Sequence, residues 1–468
     1  MYKWKTSGTL SSMKTKDMVS VGIDIGTTNV TILALNCEDG QILEIHSLPN
    51  QRIGASDGYS YLQDPQGIEN TVRGLLGKVR APFSCLGVTG QVHGIVYYDQ
   101  AGMAVSPLYT WLDRRAMERV EGVDSQSHLL HLTGKSLPSG YGLLAHYANR
   151  RLGQVPPTAV GFTGIMEYIT ARLIGHPLEK ADPSSLSAFG AFDPATTRTD
   201  TQVLKTVLGD NPLAFPTPAA AFETAGRYEG NTPVAYPVGD NQAAFFGVIG
   251  DPRKHCLISI GTSGQISLFT SKALCPPSME LRPCVGPGYL QVGATLSAGK
   301  TYEVLERLFH AVLVVAGMPE TDHETVFTLM KKAAMEDSIG IQPLVFDTRL
   351  NGSRHDPLIR GSLTGLGLDN LTLGNLVRST VDGVVGELHD FTVGQEVDFN
   401  QVETVVATGS AVRKNPLFIQ SLRRQFNREV RIPHVDDGAA VGAALIGAVS
   451  GGMLTIGEAQ SIASRMLV

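Results

Sequence analysis

The sequence predicts an α/β chain made of two halves with related folds, and three observations carry that prediction. Short alternating apolar runs, each ending in a turn of small residues, interleave with stretches of helical periodicity along the whole chain. The 468 residues exceed the roughly 250–300 that one hydrophobic core serves. One hairpin pattern also occurs twice, half a chain apart: residues 23–28 read IDIGTT and residues 258–263 read ISIGTS. Gly-Thr turns are common, so chance is the competing reading. The matched strands flanking both turns favour a duplicated unit.

The elements follow in chain order. Val19, Val21, Ile23 and Ile25 alternate into one strand, and Val30, Ile32 and Ala34 alternate out of the next, with Gly26-Thr27-Thr28 as the turn. SCLGVTGQVHGIVYYD (84–99) reads as two strands joined by a polar turn. MEYITARLIG (166–175) has helical periodicity, and PVAYPVGDNQAAFFGVIG (233–250) reads as a strand ending at Gly239-Asp240 followed by a helix. The second hairpin spans 256–269 around Gly261-Thr262-Ser263. LTLGNLVRSTVDGVVGELHDF (371–391) predicts a long amphipathic helix starting near Asn370 or Thr372. VETVVATGSAVRKNPLFIQSLRRQF (402–426) predicts a strand, a Gly-Ser turn and a helix capped by Asn415 with Pro416 in its first position. A last strand and a small-residue helix fill 430–448.

Composition excludes several functions. At 43% hydrophobic and 18% charged, the chain is ordinarily globular. A net charge of −6 without a basic stripe argues against nucleic acid. Its longest apolar run, AAVGAALIGAV, is too short to cross a bilayer. Five scattered cysteines fit a reduced compartment, with Cys275 and Cys284 more naturally thiols than a pair. Residues 1–18 have no secretory core and read as a disordered extension. The expectation is a cytoplasmic protein with small-molecule partners, its oligomeric state open and a homodimer included.

The turns suggest the chemistry. Phosphates need backbone N–H donors with nothing in the way, which glycine permits, and Thr or Ser hydroxyls add to them. Gly26, Thr27 and Thr28 with Gly261, Thr262 and Ser263 would then grip one polyphosphate. Asp24 ends the strand before the first turn. It reads either as a carboxylate on the Mg²⁺ side or as a turn cap satisfied by the amides after it. Asp240 reads either as a base toward a substrate hydroxyl or as a helix N-cap. GQVHG (90–94) with its Gln91, Val92 and His93, and YTWLDRR (109–115) with its Trp111 and Asp113, offer polar groups beside an aromatic, as polyol recognition requires. A lone His is more often structural, and a Trp more often core. Gly409 and Ser410 leave room for a flat ring near the backbone, or simply form a tight turn.

Taken together, these residues resemble the FGGY carbohydrate kinases of the actin-like ATPase superfamily, over nearly the whole chain after Val19. DIGTT is similar to the family's first phosphate loop, GDNQA to its catalytic-base motif, IGTSG to its second phosphate loop and TGSAVRKNP to its adenosine turn. QDP (63–65) also fits, with Ile68 where an aromatic often stands. The resemblance implies two ribonuclease-H-like domains flanking a cleft, a sugar-binding one at 19–247 and a nucleotide-binding one at 248–468. It implies ATP, Mg²⁺ and transfer to a sugar hydroxyl, with Asp240 as base and Asp24 toward the metal. GQ-x-HG and W-x-D-x-R resemble the xylulokinase and sedoheptulokinase branch. VTGQVHGIVYYD, SLTGLGLDNLTLG and ATGSAVRKNPL are closer to sedoheptulokinases, which implies sedoheptulose as the acceptor, with small residues such as Ser139, Gly140 and Ser187 leaving room for its length. The family's Asp-x-x-x-Ala-Ser stretch is blurred here to DPSSLSAFG (182–190). Xylulokinase is the nearest alternative. An actin-like ATPase or nucleotide sensor without a sugar is an alternative of another class.

Overall fold

The computed structural model describes residues 18–54, 59–210, 213–336, 342–353, 356, 358–394, 396–397 and 399–467. The extension expected at the N-terminus therefore lies, up to residue 17, outside the described residues. The chain forms two compact units. One comprises the residues through Ser185 with 205–240 and 439–459; the other comprises 186–204, 241–438 and the residues from 460 on.

The first unit is built on the hairpin that opens the sequence. β1 (Val19–Ile25) and β2 (Asn29–Asn36) pair antiparallel from Val19 opposite Asn36 to Ile25 opposite Val30. β3 (Ile42–Pro49) continues the antiparallel run beyond β2. On the other side of β1, β4 (Cys85–Gly90) runs parallel to it. Beyond β4 come the hairpin β5 (Thr224–Tyr228) and β6 (Thr232–Ala235), with β6 parallel to β4. The two-residue strand β7 (Val238–Gly239) also pairs parallel with β4. The sheet order is β5-β6-β4-β1-β2-β3.

On one face of this sheet, Val21, Ile23, Val30 and Ile32 share a core with Ile68, Val72 and Leu75 of α1 (Pro65–Leu76) and Met166 and Ile169 of α2 (Ile165–Ile174). Asp64 caps α1 through the N–H of Gln66, with Pro65 in the first turn. The other face explains why β1 alternates large residues with Ser20 and Gly22. The small-residue helix Gly438–Ser450 lies directly on it. A Cβ on Gly22 would meet Ala440 O at 1.9 Å, one on Gly87 would meet Ala443 O at 1.9 Å, and Ser20 Oγ donates to Ala444 O at 2.6 Å. The helix is thus seated by absent side chains, on strands more than 340 positions earlier in the sequence.

The second unit repeats the plan. β8 (His255–Ile260) and β9 (Gly264–Thr270) form the second hairpin, with Ile260 opposite Gly264. β10 (Glu280–Pro283) and β11 (Tyr289–Thr295) follow, β11 antiparallel to β9. β12 (Thr404–Thr408) runs parallel to β8, and β13 (Glu429–Arg431) parallel to β12. The order β10-β11-β9-β8-β12-β13 contains the same arrangement as the first sheet: on one side of the central strand two strands follow, each antiparallel to the one before, and on the other side two strands lie parallel to it. The repeat read from the hairpins therefore extends to sheet topology.

The expected helices of this unit form where capping chemistry put them. The Thr372 side chain accepts from Asn375 N to start the helix Leu373–Asp390, and the Asn415 side chain accepts from Leu417 N to start Pro416–Phe426. All five cysteines are free thiols. Among the described residues, no helix is long and apolar enough to cross a membrane.

Candidate active site

The carboxyl ends of three parallel strands meet at one edge of the first sheet. In register, Asp24 of β1 lies beside Thr89 of β4, and Thr89 beside Val238 of β7. One step on, Ile25 lies beside Gly90 and Gly90 beside Gly239. Asp240 follows Gly239 directly and opens the helix α3 (Asp240–Val248). Two carboxylates more than 200 positions apart in sequence thus stand at the same end of the sheet, Asp24 in the last turn-side positions of β1 and Asp240 just beyond β7. In parallel sheets, ligands bind at this end of the strands.

The Gly26–Thr28 turn is fixed at this edge by side chains. Asn50 Nδ2 donates to Gly26 O at 2.9 Å, Gln63 Nε2 donates to Thr27 O at 2.8 Å, and Trp111 Nε1 donates to Thr27 Oγ1 at 2.9 Å. Gln91 Nε2 donates in turn to Gln63 Oε1 at 2.8 Å. Gln63 is fully buried and Gln91 nearly so, so these amides form a rigid bracket beneath the turn. Thr28 is exposed beyond it. The first phosphate-type turn, Gln91 and Trp111 are therefore one constellation. Trp111 is 45% exposed, so its indole is a partly open wall rather than core.

The other sugar candidates divide. His93 has a positive φ of 75°, uncommon for a residue with a side chain, and stacks on Tyr141 with ring centroids 4.3 Å apart. Val92 packs against the core of its unit. Asp113 has both carboxylate oxygens engaged within the protein. Arg115 Nε donates to one at 2.7 Å and Arg115 Nη2 to the other at 3.2 Å, and Tyr61 N donates to the latter at 3.0 Å. Arg115 also lies 3.8 Å over the Tyr109 ring and donates to Asn149 and Gln154. Asp113 thus braces the loop that carries Trp111. Gly140, expected to leave room for a longer sugar, is filled from behind: a Cβ there would sit 2.0 Å from Trp111 O.

In the second unit, Gly261-Thr262-Ser263 follows β8 and Gly409-Ser410 follows β12, whose Thr408 lies beside Ser259 of β8. Gly409 has φ 97°, and a Cβ on it would meet Ile260 O at 2.4 Å, so only glycine fits. Thr262, Ser263 and Ser410 are exposed. The helix α4 (Gly299–Val315) starts against the turn: Gly299 N donates to Gly261 O at 2.9 Å and Lys300 N to Thr262 O at 3.2 Å. No motif in the sequence marks Ser297-Ala298-Gly299-Lys300 as part of this turn. Small residues just ahead of a periodic helix are the signal, short of a motif, that points to it.

Other positions missed from sequence are Asn50 and the buried hydroxyls Thr89 and Ser184, which hold backbone rather than ligand. Among the described residues, no cluster of three or more His, Cys, Asp or Glu side chains stands ready to hold a metal ion.

The N-terminal domain model of the FGGY family of carbohydrate kinases matches residues 19–247, and the C-terminal domain model of that family matches residues 256–451. The chain belongs to the FGGY family of carbohydrate kinases. This FGGY chain is 25% identical to the sedoheptulokinase of Homo sapiens over 92% of its length and 97% of that protein's. It is 25% identical to the xylulose kinase of Staphylococcus xylosus over 92% of its length and 90% of that protein's. The structure of a ligand-bound xylulose kinase from Lactobacillus acidophilus superposes with a TM-score of 0.78 at 18% identity, covering 95% of this chain and 92% of that one. The fold is the two-domain actin-like ATPase fold, the expected pair of ribonuclease-H-like domains. As a member of this family the chain is a sugar kinase, with a sugar and ATP as substrates.

Proposed function

We infer that this FGGY kinase transfers the γ-phosphoryl group of ATP to a ketose, and that sedoheptulose, phosphorylated on its terminal hydroxyl to the 7-phosphate, is its preferred acceptor. The observation that carries the chemistry is that Asp24 and Asp240 stand at the same strand-end edge, beside the braced Gly26–Thr28 turn. Asp240 is the base that accepts the proton of the attacking hydroxyl. Gly26–Thr28 and Gly261–Ser263 offer backbone N–H groups and hydroxyls to the phosphates, and Gly409-Ser410 lies against the adenosine. His93 binds sugar hydroxyls, with Trp111 as the flat wall and Gln91 bracing the turn beside them.

A Mg²⁺ ion suits this donor set. A single carboxylate, Asp24, stands beside a phosphate-type turn, and such ions take one or two carboxylates with phosphate oxygens and water. Bound there, the ion would neutralise charge on the phosphates. Five free thiols support a reducing compartment, the cytoplasm.

The preference for seven carbons rests on the resemblance of VTGQVHGIVYYD, SLTGLGLDNLTLG and ATGSAVRKNPL to sedoheptulokinases. Xylulose is the second reading, because a xylulose kinase and a sedoheptulokinase are equally identical to this chain. Measuring kcat/KM for both ketoses side by side separates them. We expect sedoheptulose to be preferred. A tenfold or greater preference for xylulose, about 1.4 kcal/mol of discrimination, would replace the reading with a xylulokinase.

A further inference from the structure

One peptide plane of β7, the unit joining Val238 to Gly239, is gripped at both ends by buried hydroxyls from two other elements. At its carbonyl end, Thr89 Oγ1 donates to Val238 O at 2.6 Å. At its amide end, Gly239 N donates to Ser184 Oγ at 2.9 Å, and Ser184 Oγ in turn donates a hydrogen bond to Asp182 Oδ1 at 2.5 Å. Asp182 Oδ1 also accepts from Ser184 N at 2.8 Å, so the serine is held in a tight local turn. Thr89 is fully buried, and Ser184 is 3% exposed. Neither hydroxyl is therefore offered to a substrate; each is spent on the backbone. The next residue in the chain is Asp240.

We propose that Thr89 and Ser184, with Asp182 behind Ser184, are positioning residues that set the direction in which Asp240 leaves the sheet. The proposal rests on the reading of Asp240 as the base. A two-residue strand has little ladder of its own to fix it, and its pairing with β4 consists of Val238 beside Thr89 and Gly239 beside Gly90. Gripping both the C=O and the N–H of one peptide fixes the rotation of that plane about the chain axis. That rotation determines where the following side chain points. General-base transfer needs the carboxylate within hydrogen-bond reach of the reacting hydroxyl, and misplacement by about 1 Å costs on the order of 10²-fold. The clamp also accounts for the DPSS segment, in which the family's Asp-x-x-x-Ala-Ser pattern is blurred: Asp182 and Ser184 act on the backbone before the base.

The test uses Thr89→Val and Ser184→Ala, with Thr89→Ser and Ser184→Thr as variants that keep a hydroxyl, each also made in the Asp240→Asn background. Thermal unfolding of each protein checks that it folds, and Thr89→Val preserves shape should Ser184→Ala not fold. We expect Thr89→Val and Ser184→Ala to lower kcat about 10–100-fold, with KM for ATP and for ketose within about threefold. The hydroxyl-keeping variants should recover most of the rate, and no further loss should appear in the Asp240→Asn background. Folded variants with kcat within twofold of the parent overturn the proposal. So do losses that persist in full in that background, because the hydroxyls would then act independently of Asp240. If Asp240→Asn itself keeps its activity, the reading of the base fails, and that result is separate from either outcome for the clamp.

Discussion

Asp24 is the carboxylate nearest the first turn, and its role is distinguishable from that of Asp240. A residue that helps hold the metal side of the nucleotide should matter most when the ion is scarce. Asp24→Ala is expected to leave the fold intact and to raise the Mg²⁺ concentration needed for half-maximal rate by tenfold or more, while the ketose KM changes little. Titrating Mg²⁺ at fixed ATP measures this, and an unchanged Mg²⁺ dependence removes Asp24 from the assignment. Trp111 and Asp113, two positions apart, show why single residues need the structure. The indole N–H holds Thr27 Oγ1 and its ring stays 45% exposed. The carboxylate turns inward onto Arg115. Their spacing in WLDRR suggested one shared surface, and the arginine that draws Asp113 away was visible in the motif without its direction.

Among elements, the hairpins were the most legible. Strict alternation of Val and Ile around Gly-Thr-Thr and Gly-Thr-Ser specifies strand, turn and strand with local information alone. Helix starts at Thr372 and Asn415 were legible for the same reason, since a cap and its N–H partner lie within three residues. The seat of the helix Gly438–Ser450 was not. GAAVGAALIGAV announces close packing, but the complementary gaps at Gly22 and Gly87 lie in other elements and appear there as unremarkable glycines. Gly22→Ala should therefore push that helix off β1. Overpacking of this kind costs about 1–3 kcal/mol, and here the clash is with backbone, which cannot rotate aside. A lowered denaturant midpoint with an unchanged slope is the expected result. An unchanged midpoint would show that the helix is not tightly seated.

Across the molecule, the repeated sheet plan was readable from one duplicated hairpin, and the family from motifs in their order. The edge that carries both Asp24 and Asp240 was not, because it depends on β4 and β7 joining a strand laid down more than 200 positions before Asp240. Buried carboxylates were equally hidden, and they make stability depend on pH. Burial pushes the Glu167 carboxyl up to about 7, with Asp182 nearby adding to the rise, and burial pushes Asp182 up to about 6. In the unfolded chain both ionise near 4. Between about pH 4 and 7 the native state therefore keeps protons that the unfolded state has shed, and stability falls as pH rises through that window. Glu167→Gln should lose less Tm than the parent between pH 5 and 7.5. Identical slopes would mean that Glu167 does not titrate as its burial implies.

If Asp240 couples ATP cleavage to a ketose, ADP release must depend on both. ADP release by the parent enzyme and by Asp240→Asn, each with and without sedoheptulose at saturating ATP and Mg²⁺, tests this coupling most directly. Release is expected to depend on ketose in the parent and to fall about 10²–10⁴-fold in the variant, with ATP binding unchanged. Release indifferent to every ketose tried, or a variant keeping more than about a tenth of the parental kcat, would contradict it.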